Sequence, residues 1–235
     1  MLKGRSALAV VPARGGSKGV PLKNIHPLGG KPLLAYTAEV IQRVGWFDRA
    51  VVSTDHPTIA EAARNAGLEV PFLRPDHLSG DRIGDVDVLL DAVTQSERVY
   101  DIRFDIIVML QPTSPLRLPE HVTAVATHLI EGDWDAVWTV SPTPLKYHPL
   151  KQLQFTEGGR VELHDPRGTA IIARQQLAPV YHRNGVAYAF SRRCICELGT
   201  ILPERSSAIV LEGSYISIDT LDDFAEAERV LSGRS

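Results

Sequence analysis

The sequence predicts an α/β fold, a three-layer sandwich on a mainly parallel sheet, from three features. Short apolar runs alternate with amphipathic stretches through the first two thirds of the chain. Glycine and proline fall at the joints between them, where they stop or open helices. The strand candidates, above all Asp105–Leu110 with its DIIVML run, are apolar enough to be buried on both faces. At 235 residues and 44% hydrophobic, the chain can bury one sizeable core, so residues 1–235 read as a single domain.

Taken in order, Leu8–Val11 is the first strand, and Gly29-Gly30-Lys31-Pro32 is turn chemistry with a proline placed to open a helix. Leu33, Leu34, Thr37, Ala38 and Ile41 recur at helical spacing through about Val44, and Gly45 ends the run. Arg49–Asp55 reads as a buried strand, Pro57–Asn65 as a helix stopped by Gly67, and Leu68–Leu73 as a short third strand. A polar loop, Arg74–Asp81, leads into an amphipathic helix from about Asp85 to Tyr100. The central strand Asp105–Leu110 is followed by a proline-fixed loop, a helix from Pro119 to about Ile130, and a strand over Asp135–Val140. This alternation is Rossmann-like and implies right-handed crossovers. From about 141 to 183 the rhythm breaks into prolines, glycines and short segments such as Leu153–Glu157 and Arg160–Leu163, the pattern of hairpins in an inserted excursion. The doubly wound pattern resumes at Gly185–Phe190, continues through Ser206–Leu211, and closes with a helix over Leu221–Leu231.

Composition narrows the function. A net charge of −3 and a pI near 6.2 give no electrostatic reason for nucleic-acid or membrane partners. Cys194 and Cys196 are too close for an unstrained bridge and have no second pair to make a zinc site, so they read as reduced thiols. With no cleavable leader and no apolar run approaching the roughly 18 residues of a membrane span, a cytoplasmic protein is expected.

Chemistry concentrates just after the first strand, where open parallel sheets put their ligands. Arg14, Lys18 and Lys23 share a short loop with Gly15, Gly16 and Gly19. Glycines let backbone N–H groups approach a ligand and adopt φ > 0, and the cations supply charge-assisted hydrogen bonds, so the loop suits a nucleoside triphosphate. A flexible basic surface loop is the plain alternative. The loop is neither a Walker A motif nor a GxGxxG fingerprint, which removes the main support for kinase, GTPase and dehydrogenase readings.

The run Ala-Arg-x-Gly-Ser-Lys-Gly-x-x-x-Lys-Asn, filled by Ala13, Arg14, Gly16, Ser17, Lys18, Gly19, Lys23 and Asn24, resembles the signature of the acylneuraminate cytidylyltransferases, the CMP-sialic acid synthetase family. Leu110–Arg117 matches that family's LQPTSPLR segment letter for letter, Asn184-Gly185-x-x-Tyr188 is similar to its Asn-Gly-x-x-Tyr strand, and Ile218-Asp219-Thr220 to the end of its Asp-Ile-Asp-Thr. The resemblance runs from Val10 to about Glu228 with its segments in the family's order.

It implies that CTP lies across Arg14–Asn24 and that the anomeric hydroxyl of a nine-carbon 2-keto-3-deoxy sugar acid attacks the α-phosphorus, releasing pyrophosphate. Arg14, Lys18 and Lys23 then serve the phosphates, Ser17 hydrogen-bonds them, Ala13 and Gly16 complete the nucleotide site, and Asn24 orients the nucleotide or the reacting hydroxyl. Gln111, Asn184 and Tyr188 take sugar contacts. Lys151 and Arg174, in a dimerisation excursion, meet the sugar carboxylate, for which a cation is required; Lys146 competes for the place of Lys151. His182 stands where the family often has arginine, or the arginine has moved to Arg183. Asp219 holds Mg²⁺, with Ser217 in place of the family's first aspartate, and Asp222 and Asp223 read as helix N-terminal carboxylates. A homodimer is implied. The alternatives are another acceptor, such as a related keto-deoxy sugar acid or a phosphonate, and a nucleotide-binding regulatory module without turnover. Cytosine selection is not legible.

Overall fold

The computed structural model of the chain describes residues 1–233. Its centre is a six-stranded sheet in the order β10-β6-β9-β5-β1-β4, with β1 at Ala7–Pro12, β4 at Arg49–Ser53, β5 at Ile106–Met109, β6 at Ala136–Pro142, β9 at Tyr181–Ser191 and β10 at Ser206–Val210. The pairs β1/β4, β1/β5 and β6/β10 are parallel, whereas β9 runs antiparallel to both β5 and β6. The sheet is therefore mainly parallel, and β5, the most apolar strand, lies inside it.

Period-two alternation along strands buried on both sides explains the layers. Ala7, Ala9 and Val11 face one side, where α1 (Leu33–Val44), α2 (Pro57–Asn65) and α4 (Pro119–Glu131) pack through Leu34, Ile59 and Val125. Leu8 and Val10 face the other, covered by α3 (Asp85–Tyr100) through Leu89 and Val93 and by Phe104, Phe190 and Ile195. Burying side chains of this size is worth roughly 1.5–3 kcal/mol each, so the two faces outweigh any single polar contact described below. A smaller third cluster joins α6 (Leu221–Ser232), through Phe224 and Ala227, to Val20, Leu28 and Leu33 beside the first loop. A two-residue-strand hairpin, β2 (Pro27–Leu28) and β3 (Lys31–Pro32), closes on Gly29-Gly30 ahead of α1.

Three departures from the sequence reading have local causes. Leu68–Leu73 is not a strand: only Glu69 bridges to Val51, because Pro71 lacks an N–H to continue a ladder. The strand expected at Gly185–Phe190 begins at Tyr181 and is reversed in direction, a property that apolar pattern does not encode. A five-residue helix, α5 (Arg192–Cys196), follows it, started by Ser191 Oγ accepting from Cys194 N at 3.0 Å. The excursion between β6 and β9 holds the expected hairpin, β7 (Leu153–Phe155) with β8 (Val161–Leu163), and several short 3₁₀ turns.

Candidate active site

At the carboxyl ends of β1, β4 and β5 lies an open cleft of about 650 Å³, a volume suited to a nucleotide-sized ligand. Its first wall is the loop after β1. Ala13 N donates to Ser53 O (2.9 Å), Gly15 N to Asp55 Oδ1 (2.8 Å), and the buried Asn24 donates through Nδ2 to Arg14 O (3.1 Å), so three tethers hold the loop's base and leave its crown free. The backbone N–H groups of Gly16, Lys18 and Gly19 have no hydrogen-bond partner among the described residues and remain available to an anion.

The expectation that these glycines adopt φ > 0 does not hold: Gly15, Gly16 and Gly19 have ordinary φ. Gly19 is needed for close approach instead, because a Cβ there would collide with the carbonyl of Asp219. The loop thereby presses against the segment Ile216–Asp219, in which Ile216 and Ile218 are buried while Ser217 and Asp219 line the cleft. Lys23 Nζ fixes this contact, donating to Ile218 O (2.8 Å) and Asp219 Oδ1 (2.7 Å). Asp222 and Asp223 sit in the first turn of α6 as expected of helix carboxylates. Burial opposes the ionisation of Asp223, but the N–H groups of Asp219 and Thr220, with the Thr220 hydroxyl, outweigh it and hold its pKa below the usual carboxylate value.

The opposite wall comes from the loop Arg74–Asp81 and the start of α3, with Leu78, Ile83 and Val88 as an apolar surface. Asp81 pairs with both Arg14 Nη1 (3.0 Å) and Lys18 Nζ (2.6 Å); the hydrogen bond from Lys18, with both cationic charges, holds its carboxyl below the usual range. Arg74 is 4% exposed and donates to Ser53 Oγ (2.9 Å) and Ser53 O (2.6 Å). Burial lowers its pKa from the ordinary guanidinium value.

The floor is Gln111-Pro112-Thr113, held by Arg117 beneath it. The Arg117 guanidinium is buried and donates to Gln111 O (2.6 Å), Gly185 O (3.2 Å), Thr37 Oγ1 (2.9 Å) and Val186 O. Burial draws its pKa down to about 9, so the charge persists at neutral pH. Thr113 O accepts from Ile218 N (2.9 Å), which closes the ring of walls. One cleft thus gathers the loop's cations, a glutamine amide and an exposed carboxylate, an arrangement able to bind and stabilise a polyphosphate.

Comparison with known proteins agrees with this geometry. Residues 8–212 match the family described as Cytidylyltransferase. This chain belongs to the cytidylyltransferase family. It is 34% identical over 227 residues to the CMP-N,N'-diacetyllegionaminic acid synthase of Legionella pneumophila, covering 95% of each chain. It is 29% identical to the pseudaminic acid cytidylyltransferase of Campylobacter jejuni, covering 94% of each. Its fold superposes on a CMP:2-keto-3-deoxy-manno-octonic acid synthetase complexed with CTP at a TM-score of 0.70 and 18% identity, covering 98% of this chain and 100% of that one.

In this cytidylyltransferase the expected site residues fall in four places. Arg14, Ser17, Lys18, Lys23, Asn24, Gln111 and Asp219 line the one cleft, with Ala13 buried behind it and Gly16 exposed on the loop's crown. Asn184 and Tyr188 are buried beside it and their polar atoms are committed to a bulge in β9. Asn184 Oδ1 accepts from Thr139 Oγ1 (2.7 Å) and Val186 N (3.1 Å), its Nδ2 donates to Ser141 Oγ (3.1 Å), and Tyr188 Oη accepts from Gly185 N (2.6 Å). Gly185 has φ 72°, and a Cβ there would press on Ser114 Oγ and Gln111 Oε1, so the Asn-Gly-x-x-Tyr strand is shaped to admit the glutamine. His182 is exposed, with Nδ1 3.1 Å from Thr143 Oγ1, while Arg183 stacks over Trp138 at 5.2 Å. Lys151 and Arg174 are not brought to the cleft: both are exposed and share a separate hollow of about 270 Å³ within the excursion. Lys146 is likewise exposed there, over the ring of Tyr147.

Arg74, Asp81 and Asp85 line the cleft without having been singled out from sequence. Their one signal was position, in and just after a polar loop following the second βα unit.

Proposed function

We propose that this enzyme transfers the cytidylyl group of CTP to a nine-carbon nonulosonic acid of the sialic type, releasing pyrophosphate. The observation that carries the reading is the joining of Arg14, Lys18 and Lys23 with Gln111 and Asp219 around one cleft; the relatives that make CMP-legionaminic and CMP-pseudaminic acids support the acceptor class. The loop's N–H groups and cations bind the triphosphate and stabilise charge as the pyrophosphate departs. Ser17 adds a hydroxyl to the phosphates, Asn24 fixes the loop through the Arg14 carbonyl, and Gln111 orients the acceptor.

Asp219 suits Mg²⁺: it is an oxygen donor, 74% exposed into the cleft, with Ser217 on the same side and Oδ1 alone engaged by Lys23. No group of three or more metal-binding side chains occurs among the described residues, so triphosphate and water would supply the remaining ligands, as is usual for this ion. When bound, Mg²⁺ neutralises phosphate charge. Asp219→Ala is expected to lose its Mg²⁺ dependence together with most of its rate, read as pyrophosphate release against Mg²⁺ concentration. An active variant with unchanged dependence would place the ion elsewhere.

Residues from about 141 to 183 serve as the dimerisation excursion. Phe155, on the hairpin, is 81% exposed and Ile172, between two 3₁₀ turns of the excursion, 93% exposed, and a second copy would cover them while delivering Lys151 and Arg174 to the sugar carboxylate. The free thiols Cys194 and Cys196 suit the cytoplasm, and no described helix is long and apolar enough to cross a membrane. The test is pyrophosphate release with each nucleoside triphosphate crossed with N-acetylneuraminic, deaminated, legionaminic and pseudaminic acids. Release with CTP and one of these acids is expected; silence with all of them, and release with a phosphonate instead, would reassign the acceptor.

A further inference from the structure

Three carboxylates line the cleft: Asp81, Asp85 and Asp219. Two are ion-paired, Asp81 to Arg14 and Lys18, and Asp219 to Lys23. The Asp85 carboxylate has no hydrogen-bond or ion-pair partner among the described residues, although it begins α3. Arg74 and Gln111 line the cleft with it, and its charge is felt by Arg74 and Tyr188 and is itself acted on by Arg183. An acceptor held by Gln111 therefore shares its cleft with this unpaired carboxylate.

We infer that Asp85 is the general base of the transfer, taking the proton from the acceptor hydroxyl as its oxygen attacks the α-phosphorus. The inference rests on the proposed cytidylyl transfer. The new bond joins the acceptor oxygen to the α-phosphorus, the bond from that phosphorus to the bridging oxygen breaks, and pyrophosphate leaves with the electron pair. The proton passes to an Asp85 oxygen and then to water at the open mouth of the cleft. Burial raises the Asp85 pKa above the ordinary carboxyl value, while Arg183 and Arg74 oppose the rise. The carboxylate is thereby a stronger base than a solvated one, and activity carried by it falls as pH drops through that raised value.

The test compares the full-length enzyme with Asp85→Asn and Asp85→Glu, using CTP and the acid that the wild type accepts best. Asn keeps the shape and removes the basicity. The expected result is a kcat about 100-fold lower in Asp85→Asn, with the CTP-induced rise in Tm retained, the acidic limb of the kcat–pH profile lost, and partial recovery in Asp85→Glu. A kcat within about threefold of wild type, or a persisting acidic limb, would overturn the inference. So would a lost CTP-induced rise or relaxed choice among nucleoside triphosphates, either of which would show that Asp85 reads the nucleotide. A wild type that releases no pyrophosphate with any acceptor would overturn the transfer reading itself.

Discussion

Arg14→Ala is expected to lower turnover by about 100- to 1,000-fold, the scale of removing a preorganised charge-stabilising donor from a transition state. The side chain supports no part of the core. Among the described residues its guanidinium pairs with Asp81 alone, at 3.0 Å, and is about one-third exposed, so the variant should melt within about 2 °C of wild type. Stability and rate therefore separate cleanly. The measurement is initial pyrophosphate release at saturating CTP beside a thermal unfolding curve. Near-normal turnover would detach the glycine loop from phosphate binding, because Arg14 is one of the three cations that loop brings to the cleft.

Arg117→Met is expected to do the reverse, acting first on stability. Methionine replaces much of the volume, yet the carbonyls of Gln111, Gly185 and Val186 would lose their shared donor in a place that Arg117 itself keeps almost dry. Stranding such groups costs about 3–5 kcal/mol in total. For a chain of this length that corresponds to a Tm lower by about 10 °C. Arg117→Lys should recover little, since a single ammonium cannot span acceptors that the planar fork reaches together. A Tm within about 2 °C of wild type for Arg117→Met would mean that the β5 loop and the β9 bulge hold their positions without it.

Local information went far in this chain. Helix limits such as Pro57–Asn65 and Asp85–Tyr100 follow from proline, glycine and apolar spacing, which act within a turn or two. The glycine loop and the LQPTSPLR segment fall where strand ends place them, and both line the cleft. What escaped the sequence depends on distant partners. The reversal of β9 is decided by pairing with β5 and β6, not by its own residues. Arg74 is a cleft residue because Ser53, 21 positions earlier, accepts from its guanidinium. The glycines illustrate the same limit: composition announces backbone freedom, but whether it is spent on φ or on close approach depends on Asp219, remote in the chain and adjacent in space. Asn184 and Tyr188 were legible as a motif, while their use within the bulge required Thr139 and Ser141 across the sheet.

The reversal of β9 also governs how such a chain can be rebuilt. Pro142 and Tyr181 are register partners, so the chain leaves the sheet and rejoins it at adjacent points. Everything between them is topologically a hairpin turn that has been expanded. Its length and content can be exchanged without shifting any strand register, much as a cartridge fits a fixed socket. Splicing the excursion of one relative into another at these two positions would leave the cleft lining of both halves, Gln111 included, as it is.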